Sequence, residues 1–140
     1  MYSPERFRRP ELNVLASVIA RFPFATLLTV DGEGISHLPF ILDDQGDAPK
    51  ILGHMAFANP HWRELSEKKL CKILFLGPHG YVSPAWYTPR RDNVPTWNYV
   101  AVHVTGKFAR IEDPERAFEV MDRLVRAFEA TAGTGWSLPR

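Results

Sequence analysis

FATLLTVDGEGISHLPFIL (residues 24–42) decides the fold class of this chain. Two runs rich in apolar and β-forming residues flank DGEG, and Asp31-Gly32 favours a tight turn, so a β-hairpin is expected. Pro39 sits inside the second run. A proline cannot donate to a ladder, so it belongs at a sheet edge or a bulge, leaving nearby backbone groups to bind something else. His37 lies two residues before it, where a half-buried histidine at a sheet edge is the ordinary outcome. Adjacent strand residues face opposite sides of a sheet, so Ser36 and His37 cannot pair directly as nucleophile and base. No Ser-His-Asp or Cys-His arrangement stands out elsewhere in the chain.

Outward from the hairpin, PELNVLASVIARFP (10–23) places Leu12, Leu15, Val18 and Ile19 at helical spacing. KILGHMAF (50–57) is expected as a third strand and LCKILFLG (70–77) as a fourth, with YVSP beyond a GPHG turn. NYVAVHVTGKFARI (98–111) alternates over its length as a long strand. DPERAFEVMDRLVRAFEA (113–130) carries the strongest helix signal: Asp113 caps it, Pro114 fills the first turn, and Phe118, Met121, Leu124, Val125 and Phe128 make one face. The fold class is therefore mainly β with flanking helices, its strands antiparallel and arranged as a small barrel. The chain has no βαβ alternation, no GxGxxG and no GxxxxGK[ST], which argues against Rossmann and P-loop nucleotide sites.

The length of 140 residues suits one domain with a substantial core. Seventeen Lys and Arg against sixteen Asp and Glu leave a net charge of +1, which gives no general affinity for nucleic acid or anionic membrane. The single cysteine, Cys71, excludes an internal disulfide and lies in an apolar run, as a buried inert thiol would. The N-terminus has no signal-type apolar region and no run is long enough to span a bilayer, so a cytoplasmic location is expected. Twelve prolines and seventeen aromatics crowd toward residues 78–99, which are expected to form a rigid irregular loop presenting aromatic faces.

Chemistry gathers in two stretches. In GHMAFANPHW (53–62), Asn59 is a favoured N-cap and Pro60 a favoured first helical residue, so a helix is expected through WRELSEKK. Caps are commoner than ligand sites, and residue type alone favours a plain cap. The functional alternative is an anion site: unpaired N–H groups near His61 and Trp62, with the Asn59 side chain and His54 beside them. His37 and His54 lack metal-ligand spacing and an accompanying Cys or acid, so no metal site is expected. GPHGYVSPAWYTPRRDNVPTWNY (77–99) supplies Tyr81, Ser83, Trp86, Tyr87, Thr96, Trp97, Asn98 and Tyr99, a set that suits a flat ring with polar edges or a dimer interface. Arg90 and Arg91 would pair with phosphate or remain solvated.

Taken together, MYSPERF, HLPF, GHMAFANPHW, GPHGYVSPAWY and VPTWNYVAVHVTG resemble the PaiB-like family of FMN-binding negative transcriptional regulators. The resemblance covers residues 1 to about 111 by motif and the following helix by pattern. It implies a split β-barrel of the FMN-binding type, a homodimer, and two FMN sites at the subunit interface. It also implies that His37, Leu38 and Pro39 border the isoalloxazine and ribityl chain, and that His54, Asn59 and Trp62 lie toward the phosphate. Ser83, Trp86, Trp97 and Asn98 would close the site. Family members continue past the long helix into a further strand and a lysine-rich segment, whereas this chain ends at GTGWSLPR. Residues 1–140 are thus expected to be a single FMN-binding split-barrel domain without that C-terminal segment. Direct DNA binding gains nothing from the residues, which offer no helix-turn-helix and no basic stripe. Two other functions fit the same scaffold: an FMN-dependent reductase or oxidase using NAD(P)H, with no acid or base identified for it, and a haem-binding split barrel, with His37, His54, His61, His79 and His103 as the available ligands.

Overall fold

The computed structural model describes residues 4–88 and 93–139. In chain order its elements are α1 (Leu12–Arg21), β1 (Phe24–Thr29), β2 (Ile35–Asp43), β3 (Lys50–Gly53), α2 (His61–Lys68), β4 (Leu70–Val82), β5 (Thr96–Lys107) and α3 (Pro114–Ala132). Single 3₁₀ turns cover Glu5–Phe7 and Pro84–Trp86. All strand pairs are antiparallel, in the order β3-β2-β1-β4-β5. The fold is mainly β with flanking helices, as the alternation of the strands implies.

The hairpin forms where DGEG requires it. Thr29 N–H donates to the Gly34 carbonyl across the turn, and Asp31 takes a left-handed conformation with φ 59°. β2 then changes partners midway. Ile35 to Pro39 pair with β1, and Phe40 to Asp43 pair with β3. Pro39 marks the handover, where a residue without an N–H disturbs the ladder least. The same proline explains why β3 ends at Gly53 rather than running on to Phe57 as the sequence suggests. Gly53 is the last paired residue, opposite Phe40, and the next, His54, would face Pro39.

Alternation sorts the sheet into two faces. Ala25, Leu27, Phe40, Ile73, Phe75 and Val102 point inward and join Ile19 of α1 and Leu65 of α2 in one core. α3 packs less deeply. Its Asp113 cap accepts from Arg116 N–H at 2.8 Å, but only Leu124 is buried along nineteen residues. Arg123 ties this helix to the end of β2 through Asp43 at 3.0 Å, and that contact holds the Asp43 carboxyl below its ordinary range.

β4 corrects the expectation of a loop after residue 77. It runs unbroken through GPHG to Val82 and pairs with β5 from Leu70↔Lys107 to Val82↔Thr96, with a register shift between Leu76 and His79. Gly77-Pro78 makes a bulge, not a turn, because a proline's missing N–H is harmless where the register slips. β1 covers β4 only over Cys71–Leu74. Beyond that point β4 and β5 form a two-stranded arm, and much of the aromatic segment is strand. No described helix is long and apolar enough to cross a membrane.

Candidate functional site

α2 begins one residue later than the cap pattern suggests, at His61, yet Asn59 still caps it: its Oδ1 accepts from His61 N–H at 3.0 Å. That N–H is therefore taken by the fold. The Asn59 amide also donates from Nδ2 to Ser36 Oγ at 3.1 Å. Ser36 Oγ lies 2.8 Å from His61 Nδ1, and Thr29 Oγ1 lies 3.0 Å from His61 Nε2. Glu64, one turn on, accepts from Gly34 N–H at 2.9 Å and from the Thr29 hydroxyl.

One direction of donation satisfies every group: Asn59 to Ser36, Ser36 to His61 Nδ1, His61 Nε2–H to Thr29, Thr29 to Glu64. His61 is only 6% exposed, and burial pushes its pKa below the ordinary histidine value despite the nearby Glu64. Glu64 is held low, chiefly by the Gly34 N–H and then by Thr29. A serine hydroxyl on a histidine is also the geometry of an activated nucleophile. Here both groups are buried and the second ring nitrogen meets a hydroxyl rather than a carboxylate, so the chain of bonds locks α2 onto the hairpin. Sequence reasoning missed this lock. The available signal was Ser36 on the core face of β2, because a buried hydroxyl requires a partner.

Around this lock the expected site residues fall into three groups. His37 points to the outer face of β2, opposite Ser36, with Nδ1 3.0 Å from Thr26 Oγ1 and its ring 6.3 Å from that of Phe24. Pro39 is half-buried on the same face, whereas Leu38, half-buried, packs against the core on the opposite one. The second group surrounds Trp62. Its ring stacks on Phe57 at 5.3 Å, and its Nε1–H donates to the Phe57 carbonyl at 2.9 Å. The guanidinium carbons of Arg63 and Arg110 lie 5.0 and 4.9 Å from that ring's centre. His54 is exposed in the segment leading to it.

The third group is on the arm. Trp97 stacks on His79 at 5.9 Å and donates from Nε1 to His79 Nδ1 at 3.2 Å, with Tyr81 6.3 Å away. Ser83 caps the following 3₁₀ turn by accepting from Ala85 N–H, while Trp86 and Asn98 are exposed. Arg90 and Arg91 lie outside the described residues. Among the described residues no three His, Cys, Asp or Glu side chains converge as a metal site. His37 and Asn59 flank the same strand from opposite faces, so one chain does not gather all the expected residues around a single cavity.

The chemistry present suits a phosphorylated aromatic ring: exposed ring faces, a histidine beside a hydroxyl, and two guanidinium groups at an indole. Comparison with known proteins agrees. The family model described as "Putative FMN-binding domain" matches residues 1–140. The chain is 38% identical over 122 residues to "Protease synthase and sporulation protein PAI 2" of Bacillus subtilis (strain 168), a match covering 86% of this chain and 58% of that protein. It is 36% identical over 83 residues to "Uncharacterized protein YKL070W" of Saccharomyces cerevisiae, covering 56% of this chain and 48% of that one. A third relative, "Uncharacterized protein AN0679" of Emericella nidulans, is 34% identical over 122 residues, covering 67% and 47%. The chain spans about half the length of these curated relatives. It belongs to the FMN-binding domain family, in its PaiB-like branch, and FMN is its cofactor.

Proposed function

We propose that this chain acts as a homodimeric flavoprotein of the split-barrel type, with FMN held between the outer face of one sheet and the arm of its partner. The observation carrying this proposal is the character of that outer face. Phe24 is 66% exposed, Ile35 60% and Leu76 55%, and they surround His37 on strands whose inner faces are already packed. Large apolar side chains left exposed on one sheet face in this way are ordinary at an interface. The arm adds Tyr81, Trp97 and Tyr99, all exposed, as a second surface in need of a cover. A second subunit would bring His37, Leu38 and Pro39 to the arm residues Ser83, Trp86, Trp97 and Asn98, which one chain keeps apart.

The biological output proposed for the flavin site is negative regulation of transcription, in line with the PaiB-like resemblance. The name of the Bacillus relative ties that protein to protease synthase and sporulation. α2 and α3 are separated by β4 and β5, so these helices do not form a helix-turn-helix pair. The flavin or a partner protein is thus the better candidate for the regulatory contact than a recognition helix in a DNA groove.

Sedimentation with and without FMN tests the assembly. A dimer holding one FMN per chain, reduced to a colourless monomer by Leu76→Glu, is expected. A wild-type monomer that binds FMN fully would overturn the interfacial site. Specific, salt-tolerant retardation of promoter DNA would overturn the indirect route of regulation.

A further inference from the structure

α2 buries Leu65 in the core and His61 against the hairpin, so it lies on the core side of the sheet. Its solvent side, away from the sheet face assigned above to flavin, carries the half-buried Trp62 and the exposed Arg63. Phe57, 73% exposed, stacks on the indole, whose Nε1–H is fixed by the Phe57 carbonyl. Arg110, exposed in the segment between β5 and α3, brings a second guanidinium to the same ring. Exposed aromatics with arginines are the residues that dominate protein-binding surfaces. The two like charges repel each other, yet among the described residues the ion pairs belong to Arg123 and Arg126. Glu64, the nearest acid along α2, is turned toward Gly34 and Thr29. Cation–π attraction steadies each guanidinium without using its N–H donors, which suit carboxylate oxygens.

We infer that this side of α2 docks an acidic segment of a partner protein, its carboxylates meeting Arg63 and Arg110 while an apolar side chain rests on Phe57. Charge complementarity selects this occupant. Glu112 and Asp113 follow Arg110 in the chain and are exposed, so a continuous phosphate backbone would be repelled where single carboxylates can be placed between them. A net charge of +1 adds no general pull on a polyanion. The surface does not depend on the flavin reading, and it supplies the protein contact that an indirect route of regulation requires.

Fluorescence anisotropy of a labelled Glu-Glu-Leu-Glu-Glu peptide, titrated with the full chain, provides the test. Wild type is expected to bind it, more weakly as salt is raised, and not to bind Gln-Gln-Leu-Gln-Gln. Arg63→Gln and Arg110→Gln should each weaken binding roughly 10-fold, the loss of a charge-assisted contact. Arg110→Lys should keep part of the affinity, because a lysine supplies the charge without the planar fork. Unchanged urea midpoints establish that each variant is folded. Saturating the wild type with FMN should leave its peptide affinity within about twofold. Displacement of the peptide by FMN would overturn the inference and return these arginines to the flavin site. Absence of binding, or equal binding of the neutral peptide, would overturn it as well. Tighter binding of single-stranded oligothymidylate at the same salt would make the surface one for nucleic acid instead.

Discussion

The Ser36 hydroxyl lies 2.8 Å from Nδ1 of His61, joining the core face of β2 to the first turn of α2. The imidazole is held at both nitrogens, and Asn59 closes the arrangement from the other side of Ser36. This contact fixes where α2 starts and therefore where Trp62, Arg63 and Asn59 sit relative to the sheet. Ser36→Ala removes a donor to the imidazole and an acceptor for the Asn59 amide while keeping the strand. It is expected to cost about 1–3 kcal/mol of stability, since the remaining polar groups stay buried and unpaired. Urea denaturation measures this. A change within about 0.5 kcal/mol, the ordinary range for surface sites, would show the lock to be dispensable.

Acid should open the same lock. The folded His61 favours its neutral form, so its pKa is depressed below the unfolded value of about 6.5. Its stabilising effect is fully present above that value, declines as pH falls below it, and is exhausted once the folded pKa is passed. The melting temperature is therefore expected to be level above about pH 7 and to fall between about pH 6.5 and 5, before carboxylates titrate. His61→Gln should lower the plateau and flatten the slope. A melting temperature that rises on acidification through this range would contradict the burial argument.

Gly34 supplies a steric check on the same geometry. A Cβ added there would overlap the His61 ring, which its two hydroxyl partners prevent from moving aside. Gly34 has no left-handed φ, so the expected penalty of Gly34→Ala is overpacking, about 1–3 kcal/mol. Combining it with His61→Ala should recover much of that penalty, because the side chain in the way is gone. Additive losses in the double variant would locate the strain elsewhere.

The hairpin and α3 were legible because each is written locally: alternation around Asp31-Gly32 for one, an Asp113 cap with a 3.6-residue apolar stripe for the other. The GPHG segment misled for the same reason. Gly and Pro signal a turn locally, whereas the pairing of Tyr81 with Trp97 and His79 with Tyr99 carries the ladder past the bulge. His61 was legible only as part of a helix start, since its partners Ser36 and Thr29 are 25 and 32 residues away. The opposite orientations of Ser36 and His37 followed from strand alternation. Which of them would meet α2 depended on where the helix packs, and no local spacing encodes that.

Cys71 offers a measure of how tightly the sheet closes over its core. Its thiol is buried in the core cluster, its Sγ lies 3.5 Å from the Gly106 carbonyl of the neighbouring strand, and burial raises its pKa above the usual thiol range. The thiolate is the reactive species, so both access and ionisation oppose modification in the folded protein. The native thiol is expected to react with a disulfide reagent at least about 100-fold more slowly than in urea, with the native rate set by local opening of β4 and β5. Because Cys71 pairs with both Thr29 of β1 and Gly106 of β5, this rate reports on the three-stranded part of the sheet formed by β1, β4 and β5. Ser36→Ala, which loosens the contact of α2 with β1 and β2, should raise it, whereas Arg123→Ala at the far end of β2 should leave it nearly unchanged. Equal acceleration by both substitutions would mean that Cys71 is exposed only by global unfolding, and that the lock and the sheet yield as one unit.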